Sequence, residues 1–217
     1  MIICKCIQKS VIILLLSYSA FGQVLKVHAN GNETFYFKDE LNRNQASFLS
    51  EASFESFRGI SNDVWGYVSF DPGNIKGTLD GEISISVNSI KTGIEQRDKN
   101  LRGVAWLNSD NYPHITYKIK NVESINIVDD ITVKLVTLGE FTLRGQTKLV
   151  YAKTTMKYLE ESEFTKIRNA GNLLDVQTEF DIKLSDFDIT HIMIGKRVSD
   201  LIKVSASIIG STVKPQD

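Results

Sequence analysis

Cysteine is confined to the first residues of the chain. Cys4 and Cys6 are its only two, and both precede an apolar run, so everything beyond them lacks a thiol for disulfide, metal or nucleophilic chemistry. Proline is scarce, with three in 217 residues, and no low-complexity tract is present, which excludes collagen-like and linker-rich organisation. Neither sign of charge dominates. The 25 basic and 26 acidic residues leave a formal −1, which argues against a nucleic-acid or anionic-membrane partner. The three histidines, His28, His114 and His191, are far apart and lack metal-ligand spacing. No Gly-x-Ser-x-Gly elbow or glycine-rich phosphate loop occurs. The expectation is a chain that is not an enzyme, with no catalytic residue, no metal and no cofactor.

One long hydrophobic run is present, and it lies at the N-terminus. Lys5 and Lys9 supply a positive n-region, Val11 to Leu16 begin an apolar core, and Ala20-Phe21-Gly22 places small residues where a signal peptidase requires them. The run falls short of the ~20 apolar residues of a membrane span. It therefore reads as a signal peptide cut after Gly22, and with no cysteine just after the run, not as a lipoprotein signal. The expected mature protein is periplasmic or secreted, without a transmembrane anchor. It is held by its core alone, which a chain of this size can do by burying about 70% of its extended surface.

Beyond the leader the dominant signal has period two. Leu79, Gly81, Ile83, Ile85 and Val87 alternate with Asp80, Glu82, Ser84 and Ser86, as in an antiparallel strand with one wet face. Leu174, Val176, Thr178, Phe180 and Ile182 repeat the pattern, and Ile115 to Ile119 and Val204 to Ile208 carry weaker versions. Val64 to Phe70 alternates and then stops at Asp71-Pro72-Gly73, where proline presets φ and glycine frees the turn. Ser47 to Phe57, Ile131 to Thr137, Leu138 to Leu143 and Leu149 to Tyr158 bring the expectation to about eight to ten strands. The one clear break is residues 94–107, whose helix formers place Ile94, Leu101, Val104 and Trp106 or Leu107 at roughly helical spacing before Asn111-Tyr112-Pro113. So little helix cannot cover so many half-wet strands, which must close as a barrel or face one another as a sandwich.

Particular residues then become informative. Ser89-Ile90-Lys91-Thr92-Gly93, Arg97-Asp98, Leu101 and Tyr112-Pro113 before the strand at Ile115 resemble the central signature of the YceI-like family of polyisoprenoid-binding periplasmic proteins. Phe54 to Gly59 with Gly66 and Phe70-Asp71-Pro72, Gly139 to Thr147, and Leu184 to Ile189 resemble its flanking pieces. The resemblance runs over residues 45–210. It implies an all-β, extended antiparallel lipocalin-like barrel of about eight strands with one short helix, occupying residues 45–213 after a lead-in or first strand at 23–44. It also implies an apolar pore that takes the tail of an amphiphilic lipid, an isoprenoid or isoprenoid quinone, and allows a homodimer. The chain departs from the family at Trp106-Leu107 and in the polar segment Glu160 to Asn172, expected as a long loop able to reshape the mouth.

The candidate pore-lining residues are Val68, Phe70, Ile83, Ile85, Val87, Trp106, Tyr117, Phe141, Leu143, Val176 and Phe180. Alternation turns most of them inward without separating ligand contact from plain packing. Thr92, Gly93, Arg97, Asp98, Leu101 and Pro113 are the signature positions. Arg97 and Asp98 are open to two readings, as a head-group anchor or as an ion pair or cap tying helix to barrel.

Overall fold

The computed structural model describes residues 24–29 and 31–215. The expected signal peptide with its cut after Gly22, and both cysteines, lie outside the described residues. Ten strands form one antiparallel sheet: β1 (Glu33–Tyr36), β2 (Gln45–Glu51), β3 (Ser56–Ser61), β4 (Val64–Phe70), β5 (Asp80–Ser86), β6 (His114–Ile127), β7 (Thr132–Leu143), β8 (Gln146–Leu159), β9 (Leu173–Lys183) and β10 (Leu201–Ser211). Two α-helices interrupt them, α1 (Ile75–Thr78) and α2 (Glu95–Arg102).

The sheet order is β1-β4-β5-β6-β7-β8-β9-β10-β2-β3, and a further β1–β10 pairing closes it. Closure is shared between two strands. β1 meets β10 only at Tyr36↔Ser211, and β2 then takes over the same β10 edge from Ser207 to Ile202. β1 with β2, and β3 with β4, thus act as two bent staves, giving a closed barrel of eight. Closure removes the free edges that an open sheet would present. Register shifts between Ile119/Asn121 and Val122/Ser124 bend the long β6–β7 pair, as bulges do in barrels. β7 turns into β8 through Arg144 (φ 50°) and Gly145 (φ 76°), the two positive-φ positions of a type I′ hairpin.

Several sequence expectations change in detail. Ser47 to Phe57 is two strands, because Ala52 N–H donates to Glu55 O and reverses the chain. Ile131 to Thr137 and Leu138 to Leu143 are one strand, because β7 continues through Gly139. Val87 leaves its strand for a 3-10 turn, with its amide donating to Pro113 O. The helix ends at Arg102, capped by Gly103, and the chain to Leu107 runs as turns. Among the described residues no helix is long and apolar enough to cross a membrane.

Two separate apolar clusters lie inside the barrel. At one end, here the base, Phe35, Phe37, Phe70, Ile75 of α1, Tyr158 and Leu174 are fully buried, joined by Val68, Val133, Leu135, Met156, Val176 and Ile208. At the other end, the mouth, Val87, Ile90, Leu107, Phe141, Leu143, Ile182, Leu184, Phe187, Ile189 and Ile202 form the second cluster. The segment Glu160 to Asn172 is a loop with one 3-10 turn, as expected, but it closes the base and does not shape the mouth. Arg168 pairs with Asp39 (3.3 Å) and donates to Asn44 Oδ1 (3.2 Å), and Asn172 Nδ2 donates to the Tyr158 hydroxyl (2.7 Å).

Candidate functional site

The mouth half is hollow. A cavity of about 840 Å³ opens between the ends of β2, β3, β7, β9 and β10 on one side and α2 with its following turns on the other. Its wall is mostly apolar: Ile85, Ile115, Phe141, Leu143, Ile182 and Val204 from the barrel, with Leu101, Trp106 and Leu107 from the helical segment above. Phe48 and Phe57 form an edge-to-face pair at 5.9 Å on the β2–β3 hairpin. A Cβ on Gly59 would meet the Phe48 ring at 2.2 Å, so only glycine lets that ring lie flat against β3.

The cavity has a defined floor. Tyr117 stacks on Phe180 at 5.6 Å, Phe141 meets Phe180 edge-on at 5.1 Å, and Phe141 also meets Phe187 at 5.6 Å. Tyr117 lies over Gly139, where a Cβ would come within 2.3 Å of its ring. Its hydroxyl shares a hydrogen bond with Thr137 Oγ1 (2.8 Å), and on the neighbouring strands Thr154 and Thr178 share another (2.8 Å). Burial pushes the Tyr117 phenol above its ordinary value, partly offset by the Thr137 bond. An aromatic layer backed by hydroxyls therefore separates the cavity from the packed base.

Charge gathers at the opening. One Glu55 oxygen pairs with Arg97 Nη2 (3.0 Å) and the other accepts from Arg197 Nε (3.1 Å). The Arg97 guanidinium carbon sits 4.4 Å above the centre of the Phe57 ring, a cation–π contact. Lys99, Gln96 and Asn100 of α2 also line the opening, and His191 stacks at a tilt on Trp106 at 4.7 Å. Ile94, Val104 and Met193 expose apolar surface around the rim.

The two signature charges have separate tasks. Asp98 is buried, and accepts from Thr92 N–H (2.7 Å) and Thr92 Oγ1 (2.6 Å), tying α2 to the turn that Gly93 makes at φ +83°. Burial raises its carboxyl, but the Thr92 bonds, with Lys91 and Arg102 nearby, outweigh this and hold it below the ordinary carboxylate value. Arg97 faces the cavity, and the two do not pair with each other.

Of the residues read from sequence as pore-lining, Ile85, Trp106, Phe141 and Leu143 lie along the cavity, with Leu101 and Arg97 of the signature. Tyr117 and Phe180 do not line the cavity but form the layer just beneath, where Phe180 packs on the lining residue Phe141 and Tyr117 pairs with Phe141 across β6 and β7. Val68, Phe70 and Val176 are packed in the base cluster, with Ile83 against it, and Val87 is buried in the mouth cluster beside Pro113 O. Val68, Phe70, Ile83 and Val176 face inward, and aromatic side chains from neighbouring staves fill that end of the barrel. Sequence reasoning missed Phe48, Phe57, Glu55, His191 and Arg197. Phe48, Glu55 and Phe57 lay in a stretch read as one strand with nothing to mark them as a site, and Glu55 meets Arg197 only across 142 residues of chain. Arg97, Asp98 and His114 do not converge: His114 is exposed and packs edge-on to Trp65 at 5.1 Å. Among the described residues no group of three or more His, Cys, Asp and Glu is placed to hold a metal ion.

A closed antiparallel barrel, solid at one end and hollow at the other beneath a short helix, defines a lipocalin-like all-β protein. The YceI-like domain model matches residues 39–209, and the chain belongs to that family. It is 28% identical over 142 residues to Protein YceI of Salmonella newport, covering 65% of this chain and 68% of the relative. It is 33% identical over 132 residues to a UPF0312 protein of Pectobacterium atrosepticum, covering 61% of this chain and 62% of that one, so the match spans under two thirds of the second relative. Among solved structures, BcnA of Burkholderia cenocepacia superposes with a TM-score of 0.60 at 16% identity, covering 79% of this chain and 99% of that one. A polyisoprenoid binding domain from Saccharophagus degradans gives 0.59 at 13% identity, covering 82% and 97%. These two likenesses concern the fold.

Proposed function

We infer that this protein holds the apolar tail of an amphiphilic lipid in the mouth-half cavity, with its polar end at the opening. The carrying observation is the cavity itself: about 840 Å³, walled by apolar side chains and rimmed by charge, a size and composition suited to a small apolar ligand. Each buried methylene gains ~0.8 kcal/mol, so a tail needs few polar contacts. Family membership supports this reading, as does the likeness to the polyisoprenoid binding domain of Saccharophagus degradans. An isoprenoid, an isoprenoid quinone or a similar chain is the ligand class it suggests, bound reversibly and without a catalytic step. With the N-terminal leader, the role is carriage or storage of that lipid in the periplasm.

Native mass spectrometry of the protein isolated from its own envelope, followed by organic extraction of any adduct, tests this. The expected result is one stoichiometric lipid. Bare protein, repeatedly, even after incubation with isoprenoid quinones and other single-chain lipids, would replace the carrier with an envelope interaction protein that acts through its loops.

A further inference from the structure

The cavity's two ends specify more than an apolar tail. Arg97, Lys99 and Arg197 line the opening against a single carboxylate, Glu55, so the rim is cationic on a chain whose formal charge is −1. Arg97 and Glu55 are both largely shielded, with side-chain exposures of 22% and 28%, so water screens their charge less than it would a free surface pair. A guanidinium fork engages a carboxylate or phosphate through paired N–H donors and has no comparable fit to a neutral carbonyl or alcohol.

The inner end is stopped by Tyr117, Phe180 and Phe141, and the next layer down carries the Thr137, Thr154 and Thr178 hydroxyls. Val204, the last β10 residue along the cavity, pairs with Phe180 in the floor, and Val198 stands at the opening. Val198 lies in the turn before β10, so the steps from Val198 to Val204, at no more than ~3.3 Å each and with a barrel tilt of ~40°, bound the depth at about 15 Å, the extended length of at most about a dozen carbons.

We propose that the cavity takes a single-chain amphiphile with an anionic head, held at Arg97 and Arg197, whose tail ends against the Tyr117–Phe180 layer. This rests on the lipid-binding reading above and narrows it to charged heads, setting aside the neutral isoprenoid quinone. A fatty acid and a prenyl phosphate share this chemistry. A tail longer than the cavity has to fold back within it or leave its end at the rim.

The test is calorimetric titration of the delipidated protein with octanoate, laurate, palmitate and stearate, with their alcohols, and with farnesyl phosphate against farnesol. Acids and phosphates bind at least tenfold tighter than the matching alcohols. Affinity climbs about fourfold per methylene up to tails near laurate, then by less than twofold. Arg97→Gln lowers the acid-over-alcohol ratio about tenfold. Phe180→Ala moves the change of slope to longer tails, and Phe180→Leu, which keeps more of the packing, moves it less in the same direction. The farnesyl phosphate and fatty acid arms decide which source fits better, and either one binding with head preference and a length break supports the proposal. Alcohols binding as tightly as acids, or affinity rising unbroken through stearate, would overturn it while leaving lipid binding intact. Failure of every amphiphile, charged or neutral, would overturn both.

Discussion

The two halves of the barrel follow the same alternating pattern and reach opposite ends. In the base, Phe35 stacks on Phe70 at 5.7 Å and meets Tyr158 edge-on at 5.6 Å, and all three are fully buried. In the mouth, Phe48, Phe57, Ile85 and Val204 point inward yet stay only half-buried, because they face a cavity. The difference lies in what closes each end. Ile75 of α1, Leu25 of the lead-in and the loop from Glu160 to Asn172 fold over the base, while α2 and its turns only roof the mouth. Inward alternation makes an interior. Whether that interior is core or cavity depends on how many large side chains converge there and on what covers the end.

The largest effect that separates the halves comes from a buried charge. Leu135→Lys in the base abolishes the folded state, because a lone charge there has no partner and no path to water. Ile85→Lys leaves a folded barrel, since the side chain can extend through the cavity toward the opening, and lowers lipid affinity at least tenfold. Circular dichroism and lipid titration of both variants check this, and equal loss of fold in the two would erase the distinction.

Truncations sharpen the same contrast. Tyr158→Ala costs about 3–5 kcal/mol, as expected for a fully buried aromatic, which at this chain length lowers Tm by roughly 10 °C. Phe57→Ala, at the cavity wall, costs about 1 kcal/mol because fewer contacts are lost. Comparable shifts in thermal melts would mean that the mouth is as tightly filled as the base.

The halves also differ in the pH at which they weaken. Asp98 has a lowered folded pKa, so its contribution is complete above the unfolded carboxylate value of ~3.9 and is lost as pH falls through the folded value. Tyr158 is raised, first by burial and then by its hydrogen bond to Glu33, so its contribution is complete below the unfolded phenol value of ~10 and is lost as pH climbs beyond it toward the folded value. Hydrogen exchange should show α2 loosening in acid, together with the base loop that Asp39 holds through Arg168, and the surroundings of Tyr158 loosening in alkali. Asp98→Asn, at a cost of about 1–2 kcal/mol, should remove much of the acid sensitivity of α2. A mouth that opens with the same pH profile in that variant would detach the effect from Asp98.

Much of this barrel was readable in the sequence. Val64 to Phe70 is a strand to the residue, and the Leu174 to Ile182 alternation lies within β9. The hairpin inside Ser47 to Phe57 was hidden because Ala52-Ser53-Phe54-Glu55 reverses the chain without glycine or proline. Gly139, which divides two apolar runs in the sequence, continues one strand because the Tyr117 ring occupies the space beside it. The site was less readable for two reasons. Phe70 and Phe141 carry the same inward signal, yet one completes the base core and the other walls the cavity. Nor does spacing announce that Arg197 shares Glu55 with Arg97, since that meeting depends on where the β2–β3 turn falls against the loop before β10.

The central claim is that one half is built to be occupied and the other is already full. A crystal of the protein with laurate brominated at its terminal carbon tests it most directly, because the anomalous peak marks where the tail ends. The expected result is one peak on the mouth side of Tyr117 and Phe180, beside Phe141, with the carboxylate at Arg97 and Arg197. A peak among Phe35, Phe70 and Tyr158, or bromine bound only on the outer surface, would contradict it.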